Sequence, residues 1–156
     1  MKRTRVKRRR TPHNRRRHNK SHKLKPCMPK ANRKSAIVEN FIEMLNMIKL
    51  YHWNTHSYAQ HKATDELHEK MSGHVDKFVE ILLGKDESRI DVLTAKSNLV
   101  HCKHTGTFKD QIYHYREYLI EMNQCFDPDT DSDLLNVRDE ILGDLNQFLY
   151  LMTLDK

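Results

Sequence analysis

Between residues 35 and 54, apolar side chains return every three or four positions, at Ile37, Phe41, Met44, Leu45, Ile48 and Tyr51. That spacing lines one face of an α-helix, and Ser35 stands where an N-cap hydroxyl would accept a free backbone N–H. A second stripe runs over 60–84 through Leu67, Met71, Val75, Phe78, Val79 and Leu82, with Gly84 as its stop. A third follows Phe108, Ile112, Tyr115, Leu119, Met122 and Phe126, and ends at the turn Asp127-Pro128-Asp129. The fourth follows Leu134, Val137, Ile141, Leu145, Phe148, Leu149 and Met152. Asp131 or Ser132 opens it, with acidic residues in its first turn, where the helix dipole favours them. Only four glycines occur, and no segment alternates apolar and polar residues as a half-buried strand does. Two short connections and a longer link near 85–106 therefore predict an all-α four-helix bundle with one crossover connection.

Charge divides the chain in two. Sixteen of the 28 Lys and Arg residues lie in 1–34, a stretch with no Asp or Glu, which leaves twelve against 21 acidic residues in 35–156. The formal +7 is thus the sum of about +16 on an arm and about −9 on a body, with His counted as neutral. The arm offers only Val6, Leu24, Cys27 and Met28 as apolar material before its end, and Pro12, Pro26 and Pro29 interrupt it. Too little surface can be buried there to offset chain entropy, so 1–34 is expected to be disordered and 35–156 to form the bundle.

Guanidinium groups make forked, charge-assisted hydrogen bonds to phosphate, so the arm suits a nucleic-acid backbone. The expected contacts are Arg3, Arg5, Lys7, Arg8, Arg9, Arg10, Arg15, Arg16, Arg17 and Lys20. No aromatic residue lies among them to stack on bases, so binding without sequence preference is expected, to DNA first. A nuclear-localisation address, a grip on the acidic body of a neighbouring subunit and an anionic-membrane tether are the competing uses of such an arm. No apolar h-region follows the charges, and no apolar run approaches membrane-spanning length, so neither a secretory signal nor a membrane partner is expected. Cys27, Cys102 and Cys125, an odd number, make no disulfide framework and fit free thiols in a reducing, intracellular compartment.

Candidate chemistry lies on the second stripe. With His61 taken as zero and each residue turning the helix about 100°, Asp65 falls near 40°, Asp76 near 60° and Glu80 near 100°. These groups share an arc beside the apolar stripe, and imidazole with carboxylate suits iron, manganese or zinc. A plain solvated face has the same appearance, and Glu66, His68 and Glu69 show that polar residues are common here. His101, Cys102 and His104 have no fourth partner at zinc-site spacing, and His56, His74 and His114 receive no role.

Tyr51-His52-Trp53-Asn54 resembles the His-Trp-Asn signature of Dps proteins, ferritin relatives that protect DNA in starved bacteria. The steps His61-Lys62-Ala63-Thr64-Asp65 and Asp76-Lys77-Phe78-Val79-Glu80 are similar to the ligand steps that follow in that family, and Gly143–Leu151 is similar to its last helix. The step from His52 to His61 is shorter than the family's usual one. The chain also resembles small, uncharacterised ferritin-like proteins of large DNA viruses. The Dps resemblance implies a ferritin-like bundle over 35–156 and oxidation of Fe(II) at a single-iron or di-iron site. There His52, His61 and Asp65 of one subunit would meet Asp76 and Glu80 of another. It implies a homo-oligomer, from a dimer up to a dodecameric shell, and Trp53 beside the site as a radical quencher or an interface residue. The other reading is a non-catalytic structural or nucleic-acid-packaging protein, nuclear or part of a virion, on the same fold.

Overall fold

The computed structural model describes residues 30–90 and 100–154. In it α1 spans Lys30–Asn54, α2 Tyr58–Gly84, α3 Thr105–Glu121 and α4 Ser132–Leu151, and a 3-10 turn, Met122–Gln124, closes α3. No strand occurs among the described residues.

Contacts between helix ends fix the direction of each element. The end of α1 meets the start of α3, where Tyr51 stacks on Phe108 with ring centroids 3.8 Å apart. Its start meets the other end of α3, where Arg33 donates to the Cys125 carbonyl at 2.9 Å. Lys85, after α2, pairs with Asp131 and Asp133 at the opening of α4, while Phe148 near the close of α4 packs on Phe108. The order is therefore up, down, down, up, with α2 packed against both α1 and α4. The connection from Lys85 to His104 returns the chain from one end of the bundle to the other, as the long link in the sequence predicts. Part of that connection, 91–99, lies outside the described residues.

Aromatic side chains anchor both ends of the core. Phe78 is fully buried and meets Phe41 and Phe126 edge-on, at centroid distances of 5.2 and 6.0 Å. At the other end Phe108 lies between Tyr51 and Phe148. Each buried ring of this size stabilises the fold by about 1.5–3 kcal/mol relative to an exposed one. All the apolar positions of the four stripes lie in or against this one cluster.

Two helix starts differ from the expected ones. α1 begins at Lys30, so Ser35 is inside the helix and not its N-cap, and 30–34 are helical residues, not arm. The segment Lys-Ala-Asn-Arg-Lys contains good helix formers and nothing that stops propagation from the apolar stripe. Arg33 and Lys34 are therefore tethers to the body, Lys34 bonding Asp86 and Ser88. α2 begins at Tyr58, capped by Ser57, whose hydroxyl accepts from the Gln60 N–H at 3.2 Å. The apolar stripe alone hides this start because polar Gln60 and Thr64 occupy the buried positions of the first turns.

Candidate functional site

The short α1–α2 corner presses His52 and His61 together. Their rings stack with centroids 3.9 Å apart and planes tilted by 23°. His52 Nδ1–H donates to the His61 carbonyl at 3.0 Å, and His61 Nδ1–H donates to the His52 carbonyl at 2.9 Å. The His52 carbonyl belongs to the last turn of α1, where it has no partner within its own helix, so the bond also caps α1. A carbonyl can only accept, so in both neutral rings the proton is on Nδ1 and Nε2 carries the lone pair.

Behind the pair, Thr64 is fully buried. Its hydroxyl donates to the Gln60 carbonyl at 2.7 Å and lies 3.5 Å from His52 Nδ1. The Gln60 side-chain oxygen in turn accepts from Tyr51, from Thr55 at 3.1 Å and from Thr105 at 3.3 Å. This polar network ties α1, α2 and α3 at one end of the bundle and fixes where the imidazoles stand.

In front of the pair, His52 Nε2 lies 3.7 Å from the Asp65 carboxylate, which Lys49 also approaches to 3.4 Å. The Lys49 hydrogen bond holds the Asp65 carboxyl below its ordinary value, against the opposing effect of desolvation. The same lysine stands 5.8 Å from the Trp53 ring centroid. Trp53 is 66% exposed, so it borders the corner without being packed into it. Burial, helped by the Lys49 charge, lowers His68 on the same seam, and Asp65 opposes that shift.

The structure thus brings His52, His61 and Asp65 into one corner but not into one coordination sphere. Planes tilted by 23° converge far beyond a metal–nitrogen bond of about 2.1 Å, so the stacked rings as placed cannot both chelate one ion. Among the described residues no three His, Cys, Asp or Glu side chains are grouped to hold a metal. Asp76 and Glu80 are exposed on α2. Asp76 is about 16 Å along the axis from Asp65, so neither carboxylate reaches the histidines of its own chain. Arg3, Arg5, Lys7, Arg8, Arg9, Arg10, Arg15, Arg16, Arg17 and Lys20 lie outside the described residues.

Other sequence readings resolve simply. Cys102 is a free thiol buried in the core, with burial raising it, while His101 and His104 are exposed, so the three form no ligand group. Cys125 is disulfide-bonded, so the expectation of free thiols fails at that residue, and Cys27 lies outside the described residues. No helix among the described residues is long and apolar enough to cross a membrane. His74, which the sequence left without a role, sits between Asp144 at 3.0 Å and Glu140 at 3.3 Å and joins α2 to α4. The two acids, four residues apart on the last helix, are the only signal the sequence carries for that contact.

Fold and corner together define an all-α four-helix protein with a histidine clasp between its first two helices. The chain belongs to a family of unknown function, DUF5856, whose model matches residues 52–152. The match begins at His52 and takes in all five candidate ligands. No curated protein and no solved structure matches the chain.

Proposed function

We propose that this chain is a ferritin-like protein of the Dps type. On this reading it holds nucleic acid through its arm and oxidises and sequesters Fe(II) at a site shared by two copies. The observation that carries the iron reading is the reciprocal bonding of His52 and His61. Each ring spends its Nδ1–H on a backbone carbonyl, which leaves Nε2 as a lone-pair donor in the tautomer that metal-binding histidines adopt. The up-down-down-up order with one lengthwise connection supports the ferritin-like part.

The donor set fits Fe(II) in part. Two imidazoles and the Asp65 carboxylate would supply nitrogen and oxygen ligands at one corner. Asp76 and Glu80 are exposed, their side chains make no hydrogen bond or ion pair among the described residues, and they are offered to a second copy. Fe(II) is the substrate, and its electron passes to oxygen or peroxide. Carboxylates favour the harder Fe(III) that results. The arm's contribution is electrostatic and independent of the corner.

A non-catalytic structural role is the second reading. It is favoured by the Lys49 ammonium already on Asp65 and by the stacking that keeps the rings from a common ion. The test adds Fe(II) anaerobically and then air, to wild type, to Asp76→Ala/Glu80→Ala and to a chain lacking 1–29, which leaves α1 intact. Wild type and the truncated chain should oxidise iron well above the buffer rate and the double variant at that rate, while only the truncated chain loses DNA retardation. Wild type at the buffer rate ends the iron reading, and unchanged DNA retardation without 1–29 ends the arm's role.

A further inference from the structure

A groove lies where the first turns of α2 face the last turn of α4, on the α4-facing side of α2 and away from the histidine corner. It encloses about 320 Å³ over a floor that includes Ala59, Ala63, Leu151 and Leu154, with Lys62 and Glu66 along its α2 edge. A narrower extension continues past Ala63 and Glu66 to Lys70 and Asp144. Part of its apolar surface is open to solvent: Leu154 is 62% exposed and Leu151 38%. Apolar surface left open inside a charged rim is available to a contacting surface, and the charges decide which.

The rim charges identify the occupant. Lys62 and Glu66 form no ion pair among the described residues, although they are four positions apart on one helix face. A lysine preceding a glutamate at that spacing is the weaker orientation for a pair within a helix. We propose that the groove seats the same groove of a second copy, in a two-fold contact with the two α2 helices antiparallel and the axis level with Ala63 and Thr64. That operation sets Lys62 of each copy against Glu66 of the other, so one patch makes two ion pairs with itself, as an isologous interface requires. Ala63 beside the axis lets the helices approach, and Leu151 and Leu154 are covered on both sides. The alternating signs of Lys62, Glu66 and Lys70 oppose a uniformly cationic arm, and Glu66 with Asp144 opposes a phosphate backbone. The contact is independent of the iron reading, because it uses none of the five candidate ligands.

The test measures the mass of nuclease-treated, metal-free full-length chain by light scattering across a dilution series. Wild type, Lys62→Glu, Glu66→Lys and the double exchange are compared, with helical circular dichroism confirming that each is folded. Either single reversal should raise the dissociation constant about tenfold or more by setting like charges together. The double exchange should restore it, because each pair is remade with its signs reversed. A wild-type chain that is monomeric throughout, single reversals without effect, or a double exchange as weak as the singles would each overturn the proposal. So would loss of the dimer on removing 1–29, which would make the arm the occupant.

Discussion

The carbonyl of His52 has no partner inside its own helix, and the ring of His61 supplies one. That exchange is invisible in the sequence. Two histidines nine positions apart can be placed on helical wheels, but whether their rings face a metal or each other's backbone depends on the corner between the helices. Gln60, Thr64 and Lys49 were likewise illegible as members of the site, because each acts through a partner on another turn or another helix. Asp65 was legible as a residue beside His52, but its pairing with Lys49 was not.

At the other end of the bundle, Asp86 has a titration that checks the local geometry. The Lys34 hydrogen bond, followed by Ser88, lowers its carboxyl from 3.8 to about 2. A depressed acid stabilises the fold fully above its unfolded value and loses that contribution as pH falls through the folded one, here between about pH 4 and pH 2. Carboxyl-carbon NMR should therefore find the Asp86 midpoint near 2 in wild type, and Lys34→Ala should return it towards 3.8. A wild-type midpoint already at 3.8 would show that the tether is not formed in solution.

Among elements, the four helices and the long connection could be read from apolar periodicity because nearly every inward position is apolar. The stripes found the core; they did not find what trims the helix ends. Arg138 falls on the inner side of α4 and is buried, which a hydrophobic pattern cannot anticipate. Its guanidinium donates to the Leu119 carbonyl, the Asn123 side chain and Asp139, each at 2.7 Å, and so caps the end of α3. Arg138→Met keeps the apolar stem but removes all three bonds, leaving the Leu119 carbonyl only its backbone partner Met122, at a cost of about 1–3 kcal/mol. Thermal unfolding should shift down by about 2–4 °C for each kcal/mol lost in a chain of this size. Arg138→Lys should recover only part of that, since one ammonium cannot reproduce a three-way fork. An unchanged melting temperature in Arg138→Met would remove the capping role.

For the whole molecule, the division of charge was the most legible feature, since it needs only counting. The boundary was less so: helix propensity carries α1 back to Lys30 and takes Arg33 and Lys34 out of the arm and into the fold. The two proposed contacts between copies were not legible, because a surface meant for another chain has no partner in its own to mark it. With both proposed contacts formed, α2 meets its neighbours at two levels along one side, Asp76 and Glu80 towards a neighbour's histidines and Lys62 with Glu66 towards a second groove.

Complementation tests most directly whether the proposed metal site is shared between chains. His52→Ala/His61→Ala and Asp76→Ala/Glu80→Ala chains are co-expressed, and Fe(II) oxidation is compared with that of each variant alone. Each variant alone should oxidise iron at the buffer rate, and the mixed assembly should regain activity, because a mixed pair carries one intact site. A mixed assembly as inactive as its parents, beside an active wild type, would contradict a site shared between chains.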